Sequence, residues 1–205
     1  MSPADKSIWS LSGLKSATTS ISLAAFAIPA PELGKNLLGT VIFHKQTAGM
    51  IVETEAYLGT DDLAAHSARG VTERTKVIFG PAGHAYVYLI YGMHECLNVV
   101  ADKAGTAGCV LIRALEPLAG LDIMAQQRGW KGPSRGLTNG PGKLTQALGI
   151  TRDLYGQRLD KGPLTIREWR EKPKFEIAVG PRIGISQCID WPLRFVWAGH
   201  PCLSK

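Results

Sequence analysis

The 205-residue sequence predicts an α+β fold: a single compact domain in which helices surround a curved, mainly antiparallel sheet. The length favours one domain, because domains usually contain about 100–200 residues and no linker interrupts this chain. The connections favour antiparallel strands, because short loops join them where a parallel sheet would need regular helical crossovers. No internal repeat or low-complexity segment suggests another architecture.

The elements of this fold are predicted from apolar periodicity and from the residues that interrupt it. Strands are expected where apolar and β-branched runs are bounded by turn residues: 41–44, 50–57, 84–91, 96–101 and 108–115. Helices are expected at 32–38, closing at Gly39, at 118–128, where the pattern is amphipathic, and at 143–148. The stretch from Gly129 to Gly142 is rich in Gly and Pro and is expected to form a loop.

The strand at 50–57 carries two carboxylates. Glu53 and Glu55 stand at positions i and i+2, so they point to the same face of the strand, and Tyr57 follows on that face. Thr54 and Ala56 point away. Because desolvation of a carboxylate is costly, a glutamate on a half-buried strand is ion-paired, exposed to solvent or part of a functional site. We interpret this face as catalytic; the alternative is an exposed edge strand with solvated carboxylates.

The next informative segment carries three tyrosines. Tyr86 and Tyr88 share one face of a strand, and Tyr91 directly precedes Gly92, where the chain is expected to turn. Tyr91 would then be a large flat group at a loop tip, although a single exposed tyrosine needs no functional explanation. A loop-tip aromatic, a carboxylate face and a basic chain together suit an enzyme that acts on a base taken out of a nucleic-acid stack.

Charge and cysteine content indicate which partner, metal content and cellular compartment to expect for this protein. Lys and Arg outnumber Asp and Glu by 23 to 17, and the net charge of +6 suits a polyanionic partner, although many basic proteins bind no nucleic acid. The cysteines form no C-x-x-C pair, so we expect buried thiols, no metal and a cytosolic protein. Residues 16–30 suggest a secretory signal as an alternative, but their apolar core is short and broken by hydroxyls. No run reaches the ~20 apolar residues of a membrane span.

Several sequence blocks in order resemble the alkyladenine (3-methyladenine) DNA glycosylases. These blocks are IVETEAYLG, AAHS, GPAGHAYVYLIYGMHECLNVV, CVLIRALEP, NGPGKLTQALGI, PRIGIS and WPLRF. The resemblance covers residues 22–205, the expected glycosylase domain, and leaves 1–21 as an N-terminal tail that we expect to be flexible. The sequence departs from the family pattern at Met50, where a basic residue is common, and at Glu95, where an aromatic is common.

The resemblance implies a catalytic pair. Hydrolysis of the purine–deoxyribose bond passes through an oxocarbenium-like sugar, so the enzyme needs a carboxylate that deprotonates water and stabilises positive charge. Glu55 matches the family's general base. Arg113 matches the arginine that orients the water and keeps the carboxylate ionised, and a purely structural salt bridge is its alternative. A backbone carbonyl near Ile183 or Ile185 would take the remaining proton of the water.

The resemblance also implies how the base is recognised. Tyr57 on one side, with His66 and Tyr88 on the other, would enclose a flat alkylated purine. Asn98 would meet the purine edge, where it would crowd the exocyclic amine of guanine. Tyr91 would be the wedge that fills the gap left by the flipped nucleotide.

These inferences together predict a monofunctional glycosylase of base-excision repair. Its expected partner is double-stranded DNA containing damaged purines; no cofactor and no membrane are expected, and the protein is expected to be a monomer in the cytoplasm of a bacterium or the nucleus of a eukaryote. No lysine is placed to form a Schiff base, so the product would be an abasic site without strand cleavage. Two alternatives remain: a hydrolase of free nucleosides, and a non-catalytic binder of damaged DNA.

Overall fold

Nine antiparallel strands form one sheet in the computed structural model, which describes residues 9–204. The strands are β1 (Thr18–Ser20), β2 (Val41–His44), β3 (Thr47–Tyr57), β4 (Ala85–Ile90), β5 (His94–Val100), β6 (Cys109–Ala119), β7 (Leu164–Trp169), β8 (Ile177–Gly180) and β9 (Arg194–Trp197). The α-helices are α1 (Leu11–Ala17), α2 (Ala30–Leu37), α3 (Leu121–Arg128) and α4 (Pro141–Leu148). Short 3₁₀ turns lie at Leu23–Phe26, His66–Arg69, Ser134–Gly136 and Arg152–Leu154. The predicted α+β class and antiparallel sheet are confirmed.

The sheet is ordered β1-β7-β2-β3-β6-β5-β4, and β9 adds a further pairing to β3 while β8 pairs β9. Along one edge, β3 pairs first with β2 and then with β9, and along the other edge it pairs with β6. β3 is therefore flanked on both edges over the half that carries the carboxylates, and the alternative of an exposed edge strand is wrong.

The element boundaries differ from prediction mainly where strands continue through short turns. The strand at 41–44 has the predicted bounds, but β3 begins at Thr47 because a two-residue turn joins it directly to β2. β6 continues to Ala119, so the helix predicted from 118 begins at Leu121, after Gly120 with its left-handed φ of 73°. α4 begins at Pro141, inside the predicted loop, because proline suits the first turn of a helix.

The chain enters the sheet earlier than predicted. Ser10 caps α1 by accepting a hydrogen bond from Gly13 N–H at 3.1 Å, and Leu14 packs into the interior. β1 follows and pairs with β7, with Thr18 opposite Trp169. The boundary predicted at residue 22 thus falls after the first strand of the sheet, and the rest of the predicted tail, residues 1–8, lies outside the described residues. Across residues 9–204 the structure has no helix long and apolar enough to cross a membrane.

The two faces of β3 have different surroundings, as the alternation predicted. Thr54 and Ala56 face the main core and α2, and the Thr54 hydroxyl donates to the carbonyl of Gly34 at 2.8 Å. Glu53 and Glu55 lie on the opposite face, where both contact one arginine of β6. The β3–β6 register shifts on either side of Glu53, and such irregularities re-aim neighbouring side chains.

Candidate active site

A cavity of about 340 Å³ lies on the carboxylate face of β3, a size typical of small-molecule sites. Its walls come from the four strands β3, β4, β5 and β6, the loop between β3 and β4 that contains the His66–Arg69 turn, the start of α4 and the segment 183–185. Eight of the residues predicted for the site line it: Tyr57, His66, Tyr88, Tyr91, Asn98, Arg113, Ile183 and Ile185. Glu55, the ninth, has no exposed surface and contacts the cavity wall from behind.

Glu55 is surrounded by hydrogen-bond donors. Its Oε1 accepts from Ile183 N–H at 2.7 Å and lies 3.2 Å from Arg113 Nη1, and its Oε2 accepts from the Tyr57 hydroxyl at 3.0 Å. Burial raises the pKa of Glu55, and Arg113, Ile183 and Tyr57 oppose that rise because each favours the ionised form. The backbone contribution of Ile183 in this structure is its N–H; the predicted carbonyl role of 183 or 185 stays a prediction.

Arg113 lies buried between the two glutamates. Its Nε donates to Glu53 Oε1 at 3.1 Å while its Nη1 faces Glu55. The side chain therefore belongs both to a buried ion pair and to the cavity wall, and its role in orienting a water stays a prediction.

The environment of Glu53 was not anticipated. Arg194 of β9 donates to its Oε1 at 2.7 Å, and Ser204 donates to it through both its N–H and its hydroxyl. The block WPLRF contains Arg194, but nothing in the sequence indicates that it meets Glu53. Ser204 lies in none of the recognised blocks.

Tyr57 is held by a second buried ion pair that sequence reasoning also missed. The Arg182 guanidinium lies 4.6 Å from the centre of the Tyr57 ring. Its Nη2 donates to Asp62 Oδ1 at 2.9 Å and its Nη1 donates to the carbonyl of Ala56 at 3.2 Å. One ring face is thus covered by the arginine. Burial and the neighbouring Glu55 both raise the pKa of the Tyr57 phenol, so it stays protonated and remains a donor to Glu55.

His66 and Tyr88 meet edge to face. Their ring centres are 4.6 Å apart and their planes are 81° apart, so a planar ligand stacked on one ring meets the other at its edge. His66 Nδ1 lies 2.8 Å from the Tyr86 hydroxyl. Tyr86 was noticed in the sequence only as a strand residue, and here it orients the histidine.

Arg74, another residue without a predicted role, borders this ring pair. Its guanidinium lies 5.0 Å from the Tyr88 ring centre, and its Nη2 lies 3.5 Å from His66 Nε2. Because a guanidinium only donates, Nε2 is the acceptor and Nδ1 carries the proton. Burial first, and then the charges of Arg74 and Arg69, lower the pKa of His66 to about 4. The ring is neutral at physiological pH.

Asn98 is buried in the cavity wall on β5. Its Nδ2 donates to the carbonyl of Tyr86 at 3.2 Å, and its Oδ1 lies 3.9 Å from Cys109 Sγ. These contacts fix the plane of the amide. The side chain therefore presents a fixed hydrogen-bonding edge to any ligand.

Tyr91 is at the tip of the β4–β5 hairpin, as Gly92 predicted. It is 79% exposed, and both residues have left-handed φ angles, 52° for Tyr91 and 70° for Gly92. The hairpin closes through Met93 N–H, which donates to the carbonyl of Ile90 at 3.2 Å. A left-handed φ is uncommon for a tyrosine, and it directs the ring out of the turn beside the cavity mouth.

The start of α4 forms the facing part of the mouth. A side-chain carbon at Gly142 would lie 3.0 Å from His94 Cβ, so a larger residue there would force His94 to shift, and glycine lets α4 lie close to β5. In the part of the chain that the structure describes, no three His, Cys, Asp or Glu residues are grouped to hold a metal ion.

A family model and individual relatives agree on the family that this chain matches. The family model described as "Methylpurine-DNA glycosylase (MPG)" matches residues 24–201. A "Putative 3-methyladenine DNA glycosylase" of Methanoculleus marisnigri is 51% identical over 179 residues, covering 84% of this chain and 92% of the relative. Proteins with the same name from Rhodopseudomonas palustris and Bacillus cereus are 48% and 46% identical, covering 88% and 85% of this chain and 85% and 93% of the relatives.

The contact between Arg74 and His66 predicts an unusual titration. In an NMR titration, the His66 ring should protonate near pH 4, well below the usual histidine value of about 6.5. Arg74→Gln should move this midpoint upward, because one repelling charge is lost, but not fully, because burial remains. Lys76→Gln, which removes a neighbouring exposed cation, is the matched control. A midpoint near the usual value in the parent protein would contradict the assigned contacts.

Proposed function

The chain belongs to the methylpurine-DNA glycosylase family, and we propose that it removes alkylated and deaminated purines from duplex DNA. As a member it is a DNA glycosylase, a hydrolase of base-excision repair. The proposed lesions are of the 3-methyladenine, hypoxanthine and ethenoadenine class, and the product is an abasic site. The observation that carries the proposal is the buried Glu55, held by Arg113 behind a cavity walled by aromatic rings.

The hydrogen bonds of Glu55 support its role as the base. A carboxylate has about four lone-pair sites. Ile183 N–H and Arg113 Nη1 face Oε1, and the Tyr57 hydroxyl occupies one site on Oε2. The remaining site on Oε2 would accept a water. In the proposed step the water oxygen bonds to the sugar carbon as the purine leaves with its bonding electrons, and the water proton passes to Glu55.

The rings support the proposed preference for alkylated purines. The free face of Tyr57 would stack on one side of the flipped base, and His66 or Tyr88 would contact the other. Neutral His66 does not repel a base that alkylation has made cationic, whereas a protonated imidazole would. A flat, electron-poor purine is therefore the ligand that suits this cavity.

The surface around the cavity supports duplex DNA as the partner. Tyr91 projects at the mouth, where it would enter the base stack and occupy the space of the extruded nucleotide. The net charge of +6 adds general affinity for the phosphate backbone. We propose that the protein acts as a monomer in the compartment that holds the DNA.

One assay separates this function from its alternatives. The protein is incubated with an end-labelled duplex containing a single hypoxanthine, and the DNA is then treated with alkali and separated on a gel. A glycosylase yields a cut only after alkali. A hydrolase of free nucleosides leaves the duplex intact and releases hypoxanthine from inosine, and a binder retards the duplex without any cut.

Replacing Glu55 with Gln should abolish most activity. The amide keeps the size but cannot take the water proton, so single-turnover excision should fall by at least ~10² while duplex affinity stays similar. The parent rate should also decline as the pH falls through the pKa of Glu55, which burial raises above the usual carboxyl value, and the variant should lose this dependence. Glu168→Gln, an exposed strand glutamate, is the matched control. Full activity of Glu55→Gln would refute the assignment, and Glu53→Gln should be the less affected variant.

Replacing Tyr91 with Ser should weaken both binding and excision. The loss of an inserted aromatic ring costs about 1–3 kcal/mol by analogy with base–aromatic stacking. Duplex affinity and single-turnover rates measure the effect, and Met93→Ser, at the same loop tip and 71% exposed, is the control. If Tyr91→Ser behaved like the parent while Met93→Ser lost activity, the wedge would have to be reassigned to Met93.

Replacing Asn98 with Ser should relax discrimination against guanine. Among these purines guanine alone has an amino group at C2, and a clash or an unpaired donor in a closed pocket costs roughly 1–3 kcal/mol. The shorter side chain should raise excision of mismatched guanine relative to hypoxanthine, with Glu55 still required. Single-turnover rates on both duplexes give the ratio. An unchanged ratio would place the discrimination in the stacking residues instead.

A further inference from the structure

Glu53 accepts four hydrogen bonds, yet the proposed chemistry gives it no task. Its Oε1 accepts from Arg113 Nε at 3.1 Å, Arg194 Nε at 2.7 Å and Ser204 Oγ at 2.8 Å, and its Oε2 accepts from Ser204 N–H at 2.7 Å. The side chain has no exposed surface. Four protein groups already donate to a carboxylate that has about four lone-pair sites, so Glu53 has none left for a water and any influence on the reaction passes through the groups that it holds.

Ser204 connects the arginine to this carboxylate. Its hydroxyl oxygen accepts from Arg113 Nη2 at 3.2 Å while the hydroxyl hydrogen is donated to Glu53. A hydroxyl can do both at once, so the three side chains form a closed ring. The segment before Ser204 is itself attached to β6, because His200 Nε2 lies 3.3 Å from Glu116 Oε2.

Every nitrogen of the Arg113 guanidinium therefore has a partner. Nε donates to Glu53 and, at 3.4 Å, to Ser204; Nη2 donates to Ser204; and Nη1 lies against Glu55. Because the guanidinium is planar and rigid, fixing two of its nitrogens fixes the third. Arg194 balances the charge of Glu53, which leaves the Nη1 edge of Arg113 for Glu55.

We propose that Glu53 and Ser204 are positioning residues for base excision, which hold the guanidinium plane of Arg113 and so determine where Nη1 meets Glu55. The inference rests on the proposed function, in which Glu55 is the base. It extends the site to Ser204, which lies 151 residues from Glu53 in the sequence. Neither residue contacts DNA in this role.

The variant Ser204→Ala tests the inference without changing any charge. The ionisable groups around Glu55 stay the same: Glu53, Tyr57, Arg113, Arg182 and Arg194. With the hydroxyl gone, Arg113 is less constrained and stabilises the Glu55 carboxylate less. Single-turnover excision of hypoxanthine should fall on the order of 10-fold, within the ~10² that a misplaced group can cost. The acid limb of the pH–rate profile should move to higher pH.

Ser204→Thr is the matched control, because it keeps the hydroxyl and should restore both the rate and the acid limb. Duplex affinity and the melting temperature are measured alongside, and affinity should equal that of the parent. Glu53→Gln provides a second variant: it keeps the side-chain shape but weakens the hold on Arg113, so its excision rate should also fall, though less than that of Glu55→Gln.

A direct readout keeps this inference separate from the proposed function. With isotope-labelled glutamate, the carboxyl signal of Glu55, assigned by its loss in Glu55→Gln, is titrated by NMR in the parent and in Ser204→Ala. An upward shift of the midpoint in Ser204→Ala supports the inference even if the parent excises no base, in which case the proposed function alone fails. An unchanged midpoint, or a parent-like rate and acid limb in an active enzyme, would overturn the inference.

Discussion

Two glutamates buried on one face of a strand are the constraint around which this molecule is organised. An unpaired carboxylate in a protein interior is too costly to remain ionised, so each needs cations and hydrogen-bond donors at short range. Arg113 of β6 contacts both glutamates and Arg194 of β9 contacts Glu53; these two strands flank β3 on its two edges. The antiparallel neighbours of β3 thus place positive charge where the sequence of β3 itself places negative charge. Ser204, the N–H of Ile183 and the Tyr57 hydroxyl supply the remaining donors.

The protonation states of the aromatic residues in the cavity wall also depend on burial and on neighbouring charges. Tyr57 is kept protonated by burial beside Glu55, and His66 is kept neutral by burial and by the charges of Arg74 and Arg69. The surfaces offered to a base are therefore uncharged rings, although several ionised groups lie within contact distance behind them. This separation suits the proposed reaction, in which the leaving base is flat and electron-poor while the carboxylate acts on the sugar side.

Local sequence patterns predicted much of this site, but they did not predict the residues that hold Glu53. Alternation placed Glu55 and Tyr57 on one face, and Gly92 placed Tyr91 at a hairpin tip, because both signals depend only on near neighbours in the chain. Arg113 was identified through the family resemblance. Periodicity could not distinguish a buried Glu53 from a solvated one, and it could not find its partners, because Arg194 and Ser204 lie 141 and 151 residues away. The three-residue strand β1 was missed for the same reason: its pairing partner, β7, lies near the other end of the chain.

The long separation between Glu53 and its donors has a consequence for how a cell makes this enzyme. The strands that carry the aromatic wall are complete by Val100, but the contacts of Glu53 need every residue up to Ser204. At a synthesis rate of about 5–20 residues per second, the ribosome needs roughly 5–20 s to extend the chain from Val100 to Ser204. During that time the nascent chain contains the strands that carry the aromatic rings. It still lacks the Ser204 contacts that hold Glu53 and Arg113 beside Glu55. Translation itself therefore delays the full set of contacts around the proposed hydrolytic centre until Ser204 has been added.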